Sequence, residues 1–265
     1  MQYKNENYQR NHVIVEGQEK TLEEFINSST VINGRLVKHK LRNSYSSNSE
    51  DALTWSCFNT LKSYKPENLA NALNEILEDS FEGKILFDFN QENNIKVEIG
   101  MEYVAPTLKS LKNRKEKTEV DASIETDNKL IFIEAKLYSL ISLPSDIQPY
   151  NQIANKLRIG LDYARNNGNN KQFYFIFLDI APLEKLSLRK SIAEAEETRH
   201  NFIDKWKSAW WFSYYRNRRS TTRLKKILKD ITTDDAELKN VQENMGWLTW
   251  GSLFKIVLRA AIKPI

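Results

Sequence analysis

Thr118 to Lys136 leaves a chain little freedom in how it folds. It reads Thr-Glu-Val-Asp-Ala-Ser-Ile-Glu-Thr-Asp-Asn-Lys-Leu-Ile-Phe-Ile-Glu-Ala-Lys, and apolar residues recur at every second position. That period is the mark of a β-strand with one buried face. Asp127 and Asn128 interrupt the pattern, and both residue types tolerate left-handed backbone angles, so they are expected to form a two-residue hairpin turn. Closing that turn fixes the register. Ile124 faces Ile131, Ala122 faces Ile133 and Val120 faces Ala135, giving one apolar face. On the other face Asp121 lies opposite Glu134, and Glu119 lies opposite Lys136. Directly opposed like charges destabilise a strand pair. A divalent cation would relieve the repulsion, since Mg²⁺ prefers hard carboxylate oxygens. Lys136 projects on the same face as Glu134 and would hold a water or a phosphate oxygen.

The rest of the chain supplies a frame for this pair. Glu50 follows Ser47 by three residues, the spacing of a capping box, and a helix bearing Leu53, Cys57 and Leu61 is expected to begin there. Pro66 opens a second helix. Strands are expected over 84–89, 95–104, 118–125 and 130–137. A helix is expected over 146–164, followed by a strand over 171–180, whose unbroken apolar run suits burial on both faces. From 182 onward the pattern turns helical, with helices over 186–211, 223–230 and 249–262. The organisation that follows is an N-terminal polar extension over 1–48, an α/β core over 49–181 and a helical C-terminal region over 182–265.

Composition excludes several classes. A single cysteine, Cys57, rules out a disulfide framework, and three scattered histidines lack zinc-ligand spacing. No apolar run reaches membrane-spanning length and the N-terminus lacks an apolar signal core, so a cytoplasmic protein is expected. Neither GxGxxG nor GxxxxGK[ST] occurs. The 39 Lys/Arg and 35 Asp/Glu give a net charge of only +4, but the cations gather in two places. One runs from Lys109 to Lys117 and includes Lys112 and Lys115. The other runs from Arg216 to Lys229 and includes Arg218, Arg219, Lys225 and Lys226, with no acid among them. Such clusters suit a polyanion such as DNA, or RNA as the alternative, because each phosphate neutralised releases counterions. They equally suit a solvated helix face. The aromatics of Trp206 to Tyr215 would pack inward while the neighbouring arginines face phosphates.

The constellation resembles the PD-(D/E)XK nuclease superfamily, whose core is a helix, a strand meander carrying the acids, a helix and a further buried strand. The matching region runs from about Ser49 to Ile180, with Asp121 as the first acid and Glu134-Ala135-Lys136 as the Glu-x-Lys signature. The resemblance implies a restriction-endonuclease-like fold, a mixed β-sheet flanked by helices, and Mg²⁺-dependent phosphodiester hydrolysis, with Mn²⁺ substituting. It implies metal ligation by Asp121, Glu134 and the Ala135 carbonyl, with Lys136 orienting the attacking water. Glu50 matches the acid that members contribute from the first helix, with Asp51 as the fallback and the capping role as the alternative. Gln152 matches the polar residue on the following helix, with Lys156 one turn later. Relatives that cut both strands often dimerise, so a homodimer is one open state. Two other readings stay open: a nucleic-acid-binding protein that keeps the fold without the chemistry, and an interaction protein that is no enzyme.

Overall fold

The computed structural model describes residues 50–110, 114–137, 141–145, 149–168, 170–180 and 211–262, Lys20, and the backbone of 29–32 and 35–38. A short antiparallel pair comes first, β1 (Ser29–Ile32) with β2 (Arg35–Lys38). The helices α1 (Glu50–Lys62) and α2 (Pro66–Ser80) follow. Next come β3 (Lys96–Lys109), β4 (Lys115–Glu125), β5 (Lys129–Ala135), α3 (Gln152–Asn166) and β6 (Gln172–Asp179). The chain closes with α4 (Thr222–Leu228), α5 (Asp235–Glu243), β7 (Met245–Thr249) and α6 (Trp250–Ile262).

The protein is α/β. Its main sheet has the order β3-β4-β5-β6-β7, with β3, β4 and β5 antiparallel and β5, β6 and β7 parallel. Apolar side chains on both faces make it the middle layer of three. One face, carrying Ile131, Ile133, Tyr174, Ile176 and Leu178, packs against α1, α2 and α6. The other, carrying Phe132, Phe173, Phe175, Phe177 and Trp247, packs against α3, α4 and α5. The unbroken apolar run of β6 is buried on both faces, as its composition requires.

The β4–β5 register agrees with the spacing in the sequence: Ala122 pairs with Ile133, Ile124 with Ile131 and Glu125 with Leu130. Two details differ. Neither Asp127 nor Asn128 adopts a positive φ. The Thr126 hydroxyl shapes the turn instead, accepting from the backbone N–H groups of Asn128 (3.2 Å) and Lys129 (3.0 Å). Val120 also leaves the face shared by Ala122 and Ile124 and joins the opposite cluster. The cause lies beside Asp121. Gly100 of β3, between the partners of Ala122 and Val120, takes φ 66°, which interrupts the regular pleat and is strained for residues with a Cβ.

Other expectations need correction. Residues 84–89 form no strand. Glu82 and Gly83 turn the backbone left-handed, and Asn74 of α2 then bonds the Asp88 carboxylate (2.6 Å) and the Phe89 N–H (2.8 Å). Side chains thereby replace a ladder, and Ile85 is left 80% exposed. The helix expected from 146 starts at Gln152, because Asn151 caps it by accepting from Ala154 N–H (2.9 Å), just after Pro149. The C-terminal region is not a purely helical addition. Met245–Thr249 forms β7 beside β6, so the sheet crosses the boundary expected at 181/182. The helix expected over 186–211 falls mostly outside the described residues, as do the three histidines.

Gly160 of α3 permits a close helix–sheet approach. A Cβ there would lie 2.2 Å from the Phe173 ring and 2.9 Å from that of Phe132. Alanine gains about 1 kcal/mol in a helix interior over glycine, but overpacking a filled core costs about 1–3 kcal/mol. Gly160→Ala is therefore expected to lower the melting temperature. A variant that melts at or above the parent would contradict this packing.

Candidate active site at the end of β5

The β4–β5 ladder ends at Ala122–Ile133, and beyond it side chains take over from backbone pairing. Asp121 Oδ2 accepts the Ala135 N–H at 2.8 Å. On the other side of β5, Lys136 N–H donates to the Leu178 carbonyl at 2.7 Å, and the Trp250 indole donates to the Lys136 carbonyl at 3.1 Å. These bonds hold the last residues of β5 in one position.

Four of the expected site residues meet here. Asp121 and Glu134 are close enough for each charge to act on the other, Asp121 pushing the Glu134 carboxyl up. The Lys136 ammonium reaches Glu134 Oε1 at 2.7 Å, the Ala135 carbonyl at 2.9 Å and Glu50 Oε1 at 3.3 Å. Glu50, the first residue of α1, also accepts the Leu137 N–H through Oε2 at 2.7 Å. Glu50 thus links the start of α1 to the end of β5, a contact that the capping-box spacing does not suggest.

Gln152 does not join them. Its backbone N–H and side-chain Oε1 are both engaged with the backbone of Ser142, at 3.0 and 3.3 Å, so it anchors the 141–145 segment. Lys156, one turn later, enters the cluster in its place. Its ammonium forms an ion pair with Glu134 Oε2 and donates to the Glu119 carbonyl at 2.7 Å. The signal was present in the sequence, a lysine on the Gln152 face of an amphipathic helix.

Burial and charge set the protonation. Burial pushes the Glu134 carboxyl up, and the neighbouring Asp121 pushes it further, against the pull of Lys136 and Lys156. Asp121 goes the other way. Burial would raise it, but the charges of Lys156 and Lys136, with the Ala135 N–H, hold it below the usual carboxylate range. Burial would lower Lys136, but Glu134, Asp121 and Glu50 more than offset that and fix its charge. Cys57 is buried, and burial drives its thiol up, consistent with a structural residue.

No family model and no curated protein matches this chain. Among solved structures it is similar to the crystal structure of protein VC1899 from Vibrio cholerae. That match has 16% identity and a TM-score of 0.27, over 73% of this chain and 41% of the other. A likeness this distant carries no inference about activity.

The donor types at the end of β5 are those a hard divalent cation takes, although both Glu134 oxygens and the Ala135 carbonyl each face an ammonium group. Asp121 and Glu134 offer carboxylate oxygens and Ala135 a carbonyl, and Mg²⁺ is commonly held by one or two carboxylates with waters completing its shell. Among the described residues no group of three or more His, Cys, Asp or Glu side chains is placed so that it could hold a metal ion by itself.

The basic residues divide by location. Strands β3 and β4 run past the end of β5, so Lys115, paired with Lys109 at the tip of this ribbon, lies at the same end of the sheet as Lys136. Lys112 lies outside the described residues. Arg216 and Arg218 are both bonded to Glu82 Oε1, at 2.5 and 2.9 Å, so neither stands open as the clustering suggests. Arg219 and Lys226 are exposed, and Lys225 lies 3.5 Å from Asp235. Phe212 and Tyr215 pack inward as expected. No described helix is long and apolar enough to cross a membrane.

Lys156→Met would leave Glu134 with one ammonium partner instead of two and raise its carboxyl further. A carboxyl raised on folding binds more protons in the native state, so stability falls as pH rises above the unfolded value of about 4.3. The variant is expected to lose stability relative to the parent progressively as pH rises above that value, read by thermal melts at stepped pH. A difference that does not vary with pH would mean that Glu134 is not the group held by Lys156.

Proposed function

We propose that this protein is a metal-dependent nuclease that hydrolyses phosphodiester bonds in DNA. One observation carries the reading. Asp121 and Glu134 sit at the open end of β5 beside Lys136, whose ammonium meets Glu134 at 2.7 Å and Glu50 of α1 at 3.3 Å. The order of elements supports it: a helix, an antiparallel meander bearing the acids, a helix and a buried strand parallel to β5 is the order that a restriction-endonuclease-like core would have.

Asp121, Glu134 and the Ala135 carbonyl would hold the cation, and bound Mg²⁺ would supply Lewis-acid stabilisation of charge developing on the phosphoryl oxygens. The residues of the chain do the rest. Lys136, fixed as an ammonium, orients the attacking water and offsets negative charge at phosphorus. Glu50 positions that ammonium through its 3.3 Å contact and closes the end of β5 through the Leu137 N–H. Lys156 balances the acid pair from below. The basic ribbon carrying Lys115 would meet the DNA backbone at the same end of the sheet.

One observation favours a second reading, a DNA-binding module without hydrolysis. Both Glu134 oxygens already face ammonium groups. Mg²⁺ titration against plasmid DNA separates the two. Asp121→Ala, Glu134→Ala and Lys136→Ala should each reduce metal-dependent cleavage by at least about a hundredfold, the scale on which loss of a charge-stabilising group acts. Full cleavage by any of the three, purified free of host nuclease, would reject the assignment.

A further inference from the structure

Arg216 is an unusual surface arginine. Its side chain is only 9% exposed, and among the described residues its Nε has no hydrogen-bond partner and its charge meets one carboxylate, that of Glu82. Its guanidinium lies 5.7 Å from the centre of the Phe212 ring, which supplies little hydrogen bonding. Burial and the neighbouring Arg218 charge together lower Arg216 more than Glu82 raises it. Arg218, 52% exposed, reaches the same oxygen of Glu82. Two guanidinium groups therefore share one carboxylate oxygen, and the locus keeps a positive excess. Arginine pairs of this kind are fitted to phosphate as well as to carboxylate.

The loop that carries these arginines is held in place. The buried Gln242 amide donates to the carbonyls of Tyr215 (3.4 Å), Asn217 (2.9 Å) and Ser220 (2.9 Å). The loop's carbonyl dipoles thus turn inward, while Arg218 and Arg219 lie on its outer side. Glu82 is itself accessible, with 38% of its side chain exposed. It follows α2, and no acid lies within the basic run from Arg216 to Lys229 itself.

We propose that Arg216 and Arg218 form a phosphate-binding site for the DNA backbone, in which the Glu82 carboxylate occupies the place of the phosphate until DNA displaces it. The proposal rests on the nucleic-acid reading above but not on hydrolysis. Glu82 then weakens non-specific binding, since any phosphate entering the site must first displace an internal anion. Removing the anion should strengthen binding, whereas a purely structural ion pair would show no such gain.

The test is fluorescence anisotropy with a mixed-sequence DNA duplex in EDTA, which excludes cleavage, at several salt concentrations. Glu82→Gln should bind about three- to tenfold tighter at low salt, with a salt slope steeper by about one. Arg218→Gln should bind more weakly, with a slope shallower by about one. Equal affinity and slope for Glu82→Gln and the parent, with both folded, would overturn the proposal while leaving the nucleic-acid reading intact. A parent protein with no salt-dependent binding would overturn both. If Glu82→Gln loses its cooperative melt, Arg218→Gln decides alone: its side chain is half exposed, and an unchanged slope there would equally overturn the site.

Discussion

The structure depends on an enclosed carboxylate, Glu134, set against Asp121 at the point where two strands part. Burying a charge is expensive, and placing a like charge beside it is more so. Three groups from two elements contribute to the solution. Strand β5 supplies Lys136, α3 supplies Lys156, and the backbone of Ala135 donates to Asp121. Removing any one partner would leave a charge uncompensated away from water. The cluster therefore fixes where α1 and α3 sit against the sheet as firmly as the apolar contacts do.

Helix α3 shows how strictly this is enforced. From Ile153 to Asp162 every residue is buried. Its cations are not snorkelling to solvent. Arg158 bonds Glu116 through two contacts of 2.9 and 3.1 Å, meets Asp230 at 3.1 Å, and lies 4.2 Å above the Tyr150 ring. Asp162 accepts the Thr107 N–H at 2.9 Å. Together these contacts tie α3 to the β3–β4 ribbon and to the segment following α4. A helix held so completely cannot rotate, which keeps Lys156 directed at Glu134.

What the sequence made legible, and what it concealed, follow the range of the forces involved. The β4–β5 register was readable because a side-chain period of two and a short turn leave one way to bury Ile124, Ile131 and Ile133. The long apolar run of β6 was readable for a similar reason. The face exchange at Val120 was not, because it depends on the left-handed Gly100 in the neighbouring strand. Strand β7 was missed because five residues containing a glycine carry little periodicity. It is Phe81, brought to within 2.8 Å of where a Gly246 Cβ would lie, that gives the glycine its purpose. The pairing of Glu82 with Arg216 spans 134 residues and has no local signature. Segment 84–89 read as a strand from composition alone, but Asn74 and Asp88 had a stronger claim on its backbone.

The polar cluster sits where the architecture can accommodate it. Within the sheet, the inner strands β5 and β6 have a strand on either side and helices over both faces, which leaves little room for an unsatisfied carboxylate. At the end of β5 the constraint relaxes. The antiparallel ladder to β4 stops at Ala122–Ile133, while the parallel ladder to β6 continues through Ala135–Leu178. One side of β5 is thus anchored and the other open, so the Ala135 N–H is free to serve a side chain instead of a strand. That asymmetry comes from the mixed sheet itself: β5 is the strand at which antiparallel pairing gives way to parallel. The aspartate and glutamate converge there because it is the one place along β5 where a backbone donor is released and a helix start, that of α1, arrives with a further carboxylate.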